Sequence, residues 1–153
     1  HVAKGLAALS DEQLAGLKEV YIVPESMPDR AADHKDGVIR YFPRDKEHPQ
    51  SDIDWALQHE SAHALWDARM KEDPGFPSAW QRAADQDHRT VTDYGDKRIG
   101  EDFAEFMILY ANVLGSPCEG SARALFKHRM QIMDGLFPNG LPVRNPSAAS
   151  KPY

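Results

Sequence analysis

The chain has a single cysteine, Cys118. That excludes an internal disulfide and any zinc site built from several thiolates. Long apolar runs are also missing: no stretch approaches the roughly 20 residues that a membrane-spanning helix needs. Positive charge is in deficit, with 18 Lys and Arg against 24 Asp and Glu for a net charge of -6. Such a balance argues against a nucleic-acid partner, which calls for a basic face. There is no internal repeat and no low-complexity block. No signal peptide is visible, and a leader removed ahead of residue 1 would leave these same residues.

What is present is ordinary globular material. The 153 residues are 41% hydrophobic and 27% charged, enough for one domain with a buried core. Ser10, with Gln13 three residues on, makes a capping-box pattern for a short helix. Residues 19–24 and 37–43 read as strands, rich in β-branched and aromatic side chains and closed by Pro24 and Pro43. The segment between them is polar and reads as irregular, and 44–50 as a loop. Ser51 is expected to cap a long helix reaching about Lys71, with Asp52 and Asp54 in its first turn. "EDPGFP" should stop that helix. Further helices are expected over 77–86, over 101–114, and over 117–135. The second has Phe103, Phe106, Met107, Tyr110 and Leu114 at core spacing, and the third is opened by Ser116, Pro117 and Glu119. The expected class is α+β: mostly helical, with a small N-terminal sheet packed on the long helix. Residues 1–142 form the domain and 143–153 a flexible tail.

The long helix carries "LQHESAHALW", residues 57–66. His59 and His63 stand four apart, so they share a helix face about 6 Å apart along the axis and can converge on one metal ion. Glu60 is rotated by about 100° from His59, placed to take a proton from a water that such a metal activates. This is the zinc-hydrolase reading of H-E-x-x-H. Small and apolar neighbours, Ala56, Leu57, Ala62, Ala64, Leu65 and Trp66, place the motif on a mostly buried helix. Two histidines and a glutamate there would be costly without a partner.

A catalytic zinc usually takes three protein ligands. The extended pattern H-E-x-x-H-x-x-G-x-x-H fails, because Trp66 and Arg69 stand at its later positions. The third ligand must come from elsewhere, and "EDFAEF" offers Glu101 and Glu105, again four apart on one helix face. One can bind the metal while the other accepts the N–H of a ligating histidine and fixes its ring. The plainer alternative is a solvated acidic face. Asp93 is a further candidate ligand. His88 could line a cleft, His34, His48 and His128 have no partner spacing, and Cys118 at a helix start has no base beside it.

"HESAH" followed by "TDYGDKRIGEDFAEF" resembles the gluzincin-type peptidases related to anthrax lethal factor and the Pro-Pro endopeptidases, over roughly residues 51–114. The resemblance implies a zincin-like fold and one Zn2+ per chain held by His59, His63 and Glu101, with Glu105 in support. Tyr94, seven residues before Glu101, is implied to be an active-site phenol, and Glu60 the base. The implied reaction is attack of water on a peptide carbonyl of a peptide or protein substrate. Residues 37–43 are the candidate strand for pairing with that substrate. The resemblance also points to a secreted or exported, toxin-like effector. Two rivals stand beside it: a catalytically inactive zinc domain that binds partners, and a zinc hydrolase of a non-peptide amide. The intact Glu60 favours the active enzyme over the first.

Overall fold

The computed structural model describes residues 1–24, 27, 30–43 and 49–141. Two short helices, α1 (Val2–Leu6) and α2 (Asp11–Ala15), lead into strands β1 (Glu19–Ile22), β2 (Ala32–Lys35) and β3 (Val38–Tyr41). Then come α3 (Gln50–Glu72), α4 (Phe76–Asp87), a 3-10 turn at Gly95–Lys97, α5 (Ile99–Val113), α6 (Glu119–Leu125) and α7 (Lys127–Leu136). The chain is mostly helical with a small three-stranded mixed sheet, which is an α+β arrangement. The expected tail over 143–153 and most of the loop over 44–50 lie outside the described residues.

The sheet order is β1-β3-β2, with β3 parallel to β1 and antiparallel to β2. This corrects the reading in two ways. The segment read as irregular contains β2. And β3, proposed as the substrate-pairing strand, is the central strand, with both its edges already used by β1 and β2. The turn joining β2 to β3 is Asp36-Gly37, with φ of 53° and 84°. An Asp-Gly pair with both residues at positive φ matches the twist of a two-residue hairpin. That signal was present in the sequence, masked by the polar residues around it.

The capping box at α2 forms as expected: Gln13 N–H donates to Ser10 Oγ at 3.3 Å, and Ser10 N–H donates to Gln13 Oε1 at 3.0 Å. The buried Gln13 also donates to Ser61 Oγ at 3.2 Å, tying α2 to the middle of α3. Ser51, by contrast, is not the cap of α3. The helix starts at Gln50, behind Pro49, with no side-chain cap. Gln50 instead bonds to the His1 carbonyl and to Asp54, so α1 braces this helix end. The helix expected over 117–135 is two. Ser116, Pro117 and Cys118 form a turn, α6 begins at Glu119, and the chain breaks at Phe126 (φ -127°, ψ 41°). That break sets the Phe126 ring against Phe106, with centroids 5.6 Å apart.

α3 is the spine. Its first half, through Ile53, Ala56 and Leu57, packs on Ala32, Ile39 and Tyr41 of the sheet. Its second half, through Ala62, Leu65 and Trp66, enters a larger core with Trp80 of α4, Phe103, Phe106, Met107 and Tyr110 of α5, and Met130 and Met133 of α7. A helix covered on several sides has no single apolar stripe. This is why the polar triplet His59-Glu60-Ser61 sits in a helix whose neighbours are mostly buried.

Candidate metal centre

The residues that share a face of α3 meet a residue from the first turn of α5. His59 Nε2 and His63 Nε2 face each other at 3.2 Å, their rings edge to face. Glu101 Oε2 lies 3.1 Å from the first nitrogen and 3.3 Å from the second. His59 is buried, while His63 and Glu101 are half-buried. Among the described residues these three form the group able to hold a metal ion. Asp93 is exposed and stands outside it. The spacing suits a small dication: bonds of about 2.1 Å in tetrahedral geometry put ligand atoms roughly 3.4 Å apart.

Glu105, one turn after Glu101, stands behind the cluster. Its Oε1 is 3.1 Å from His59 Nδ1. This is ion-pair distance without hydrogen-bond alignment, and both atoms are buried with no other polar partner among the described residues. A buried, under-satisfied imidazole edge and carboxylate are costly unless the ring beyond them carries positive charge or holds a cation. The other oxygen of Glu105 accepts from Thr92 Oγ1 at 3.0 Å, and Thr92 Oγ1 accepts from Gly95 N–H at 3.1 Å. Thr92 thus ties the loop bearing Tyr94 to α5, a role not read from sequence. Gly95 allows the close fit, since a Cβ there would lie 3.3 Å from Asp102 Cα.

The charges follow from this packing. Burial alone would lower His59, but Glu101, Glu105 and Glu60 push it up to about 9. Glu101 is held below its usual range by the His59 hydrogen bond and by His63. Burial pushes Glu105 up, but contacts to His59 and Thr92 outweigh it and leave it lowered. Burial and the neighbouring His59 lower His63. Burial pushes Glu60 up to about 7, His59 opposing and the charges of Glu101 and Asp33 adding to the rise. A carboxylate with its pKa near neutral suits proton transfer at neutral pH. Tyr94 is 45% exposed, its ring 6.0 Å from the His59 ring and capped by Lys97 Nζ at 4.7 Å. Burial and the three nearby carboxylates raise its pKa, so it stays a donor at neutral pH.

A second, mostly buried network holds Glu101 in place. Its neighbour Asp102 accepts from Trp80 Nε1 and from Arg129 Nη1, both at 2.7 Å. Arg129 also donates to Asp87 at 3.0 Å and to the Arg89 carbonyl. One guanidinium therefore joins the end of α4, the loop leading to Tyr94, the first turn of α5 and α7. Sequence reading missed it because its members are scattered over 50 residues with no shared spacing. His88 is exposed, ends α4 in left-handed backbone, and lines a cavity of about 630 Å³ with Asp85, Arg89, Asp96 and Arg98. That cavity reaches the Asp102 side of α5 and excludes His59, His63 and Glu101. His34 Nε2 accepts from Gly37 N–H at 2.9 Å and buttresses the hairpin. His128 Nδ1 lies 3.0 Å from Asp87, and Cys118 is free and exposed.

No helix among the described residues is long and apolar enough to cross a membrane. No family model, curated protein or solved structure matches this chain.

Proposed function

We propose that this chain is a zinc-dependent endopeptidase of zincin-like, gluzincin type. The observation that carries the reading is the triangle of His59 Nε2, His63 Nε2 and Glu101 Oε2, 3.1–3.3 Å on each side, with Glu60 next to its first member. His59, His63 and Glu101 would hold the zinc. When bound there, zinc supplies a Lewis acid that makes water a nucleophile near neutral pH and polarises a carbonyl. Glu60, half-buried and with its pKa raised, takes the proton of the attacking water and returns it to the leaving amine. Tyr94 donates its O–H to the oxygen that gains negative charge at the scissile carbonyl. Glu105 orients the His59 ring from its Nδ1 side.

An extended substrate has β2 as its pairing strand. β2 is an edge strand of the described sheet and packs against α3. Backbone pairing there gives affinity, and pockets along the cleft give selectivity.

The test is cleavage of a diverse peptide library by the zinc-loaded protein, with the chelated protein as control. Cleavage that depends on zinc supports the reading. A zinc-loaded protein that cleaves no peptide overturns it.

A further inference from the structure

Seven large hydrophobic side chains are left exposed among the described residues, and two of them, Trp55 and Tyr94, abut the same imidazole. The Trp55 ring stacks on His59 with centroids 5.2 Å apart and planes inclined by 24°. Trp55, His59 and His63 recur every four residues, so they form one stripe along α3. The indole thus stands one turn, about 6 Å, from His59, on the side away from His63. Even so, 41% of its surface remains open to solvent. An indole facing water beside a polar cluster gains little from folding, and it is a large rigid surface for an apolar ring.

Given the peptidase reading, on which this inference rests, we infer that Trp55 is the floor of a substrate subsite that takes an aromatic side chain close to the scissile bond. The distances fit. An extended peptide advances about 3.3 Å per residue, so a side chain one or two residues from the scissile carbonyl would reach the indole. Stacking on His59 holds the ring in position, so its contact area is presented without the entropy loss of ordering a flexible side chain. The chemistry selected is a flat apolar group, since neither glycine nor a carboxylate side chain gains from an indole face.

The experiment compares zinc-loaded wild type with Trp55→Ala and Trp55→Phe by the residue profile of cleaved peptides from a diverse library. In the wild type one position next to the cleaved bond should favour Phe, Tyr or Trp over Gly by about tenfold or more. In Trp55→Ala that preference should fall to about twofold or less, through KM more than kcat, and Trp55→Phe should retain most of it. An unchanged profile in Trp55→Ala overturns the subsite and leaves the peptidase reading standing. If the wild type cleaves nothing, the peptidase reading falls, and the subsite is then judged by binding alone. The emission of Trp55, taken as wild type minus Trp55→Phe, should respond to N-acetyl-phenylalanine amide and not to N-acetyl-glycine amide. Equal responses overturn it.

Discussion

Glu101 Oε2 lies 3.1 Å from His59 Nε2 although 42 residues separate them in the chain. Nothing local brings them together. α3 packs on α5 through its second half, and α5 is held at its first turn by Asp102. The donor set is therefore a property of the tertiary structure, and its members can be tested one at a time.

Glu101→Gln should weaken zinc binding by at least about a hundredfold, because one of three charged or neutral donors becomes a poor ligand. Glu105→Gln should weaken it by about 10- to 100-fold, as loss of an outer partner of a ligating histidine does. Competition with a chromophoric chelator measures both. Equal affinities in the wild type and Glu101→Gln would place the third ligand elsewhere.

Glu60→Gln should retain one equivalent of zinc and the wild-type circular dichroism spectrum, while hydrolysis drops by about 10²- to 10⁴-fold. Activity within a few-fold of wild type would mean that another group takes the proton.

Tyr94→Phe should lower kcat by about 10- to 1,000-fold with little change in KM, the pattern of a donor whose bond strengthens in the transition state. A raised KM with kcat intact would instead make Tyr94 a substrate-binding residue.

Arg129→Met should be severe, although the residue lies far from the triangle in sequence. It leaves Asp87 and Asp102 buried without their cation, which costs about 3–5 kcal/mol. Urea unfolding followed by circular dichroism gives the stability. Zinc affinity should fall as well, because the turn carrying Glu101 loses its anchor.

Acid should unfold the protein partly through Asp87. Burial by itself raises that carboxyl, but hydrogen bonds from the His128 and Arg129 N–H groups and the Arg129 guanidinium outweigh it and hold it below its ordinary value. A carboxyl with a depressed folded pKa contributes stability that is complete above its unfolded value, about 3.9. That stability is lost as pH falls through the folded value. The urea midpoint of the wild type should thus drop below about pH 4, and Asp87→Asn should flatten this part of the curve while lowering the midpoint at pH 7. Parallel curves for the two proteins would show that other carboxyls carry the transition.

The pairs that proved legible in sequence are those whose spacing is set by one helix. His59 with His63 and Glu101 with Glu105 each stand four apart, and the helix period alone puts each pair on one face. Helix bodies were legible for the same reason, as in the run from Phe103 to Tyr110. Helix ends were less so: Ser51 looks like a cap, yet bracing by α1 moved the start to Gln50. β2 was hidden because a four-residue strand of Ala-Asp-His-Lys has no apolar alternation to display. Thr92 and the Arg129 network leave no periodic trace, because each acts through contacts between separate elements.

α3 belongs to both cores, the sheet gripping its first half and α5 and α7 its second. A beam embedded at both ends holds the histidine pair in place, and Asp102 anchors the turn that carries Glu101. If the site holds zinc as proposed, chelation should leave the scaffold folded, unlike a finger that folds around its ion. The short stretch around Tyr94 is tied to α5 by the Thr92 hydroxyl and to Arg129 by one carbonyl.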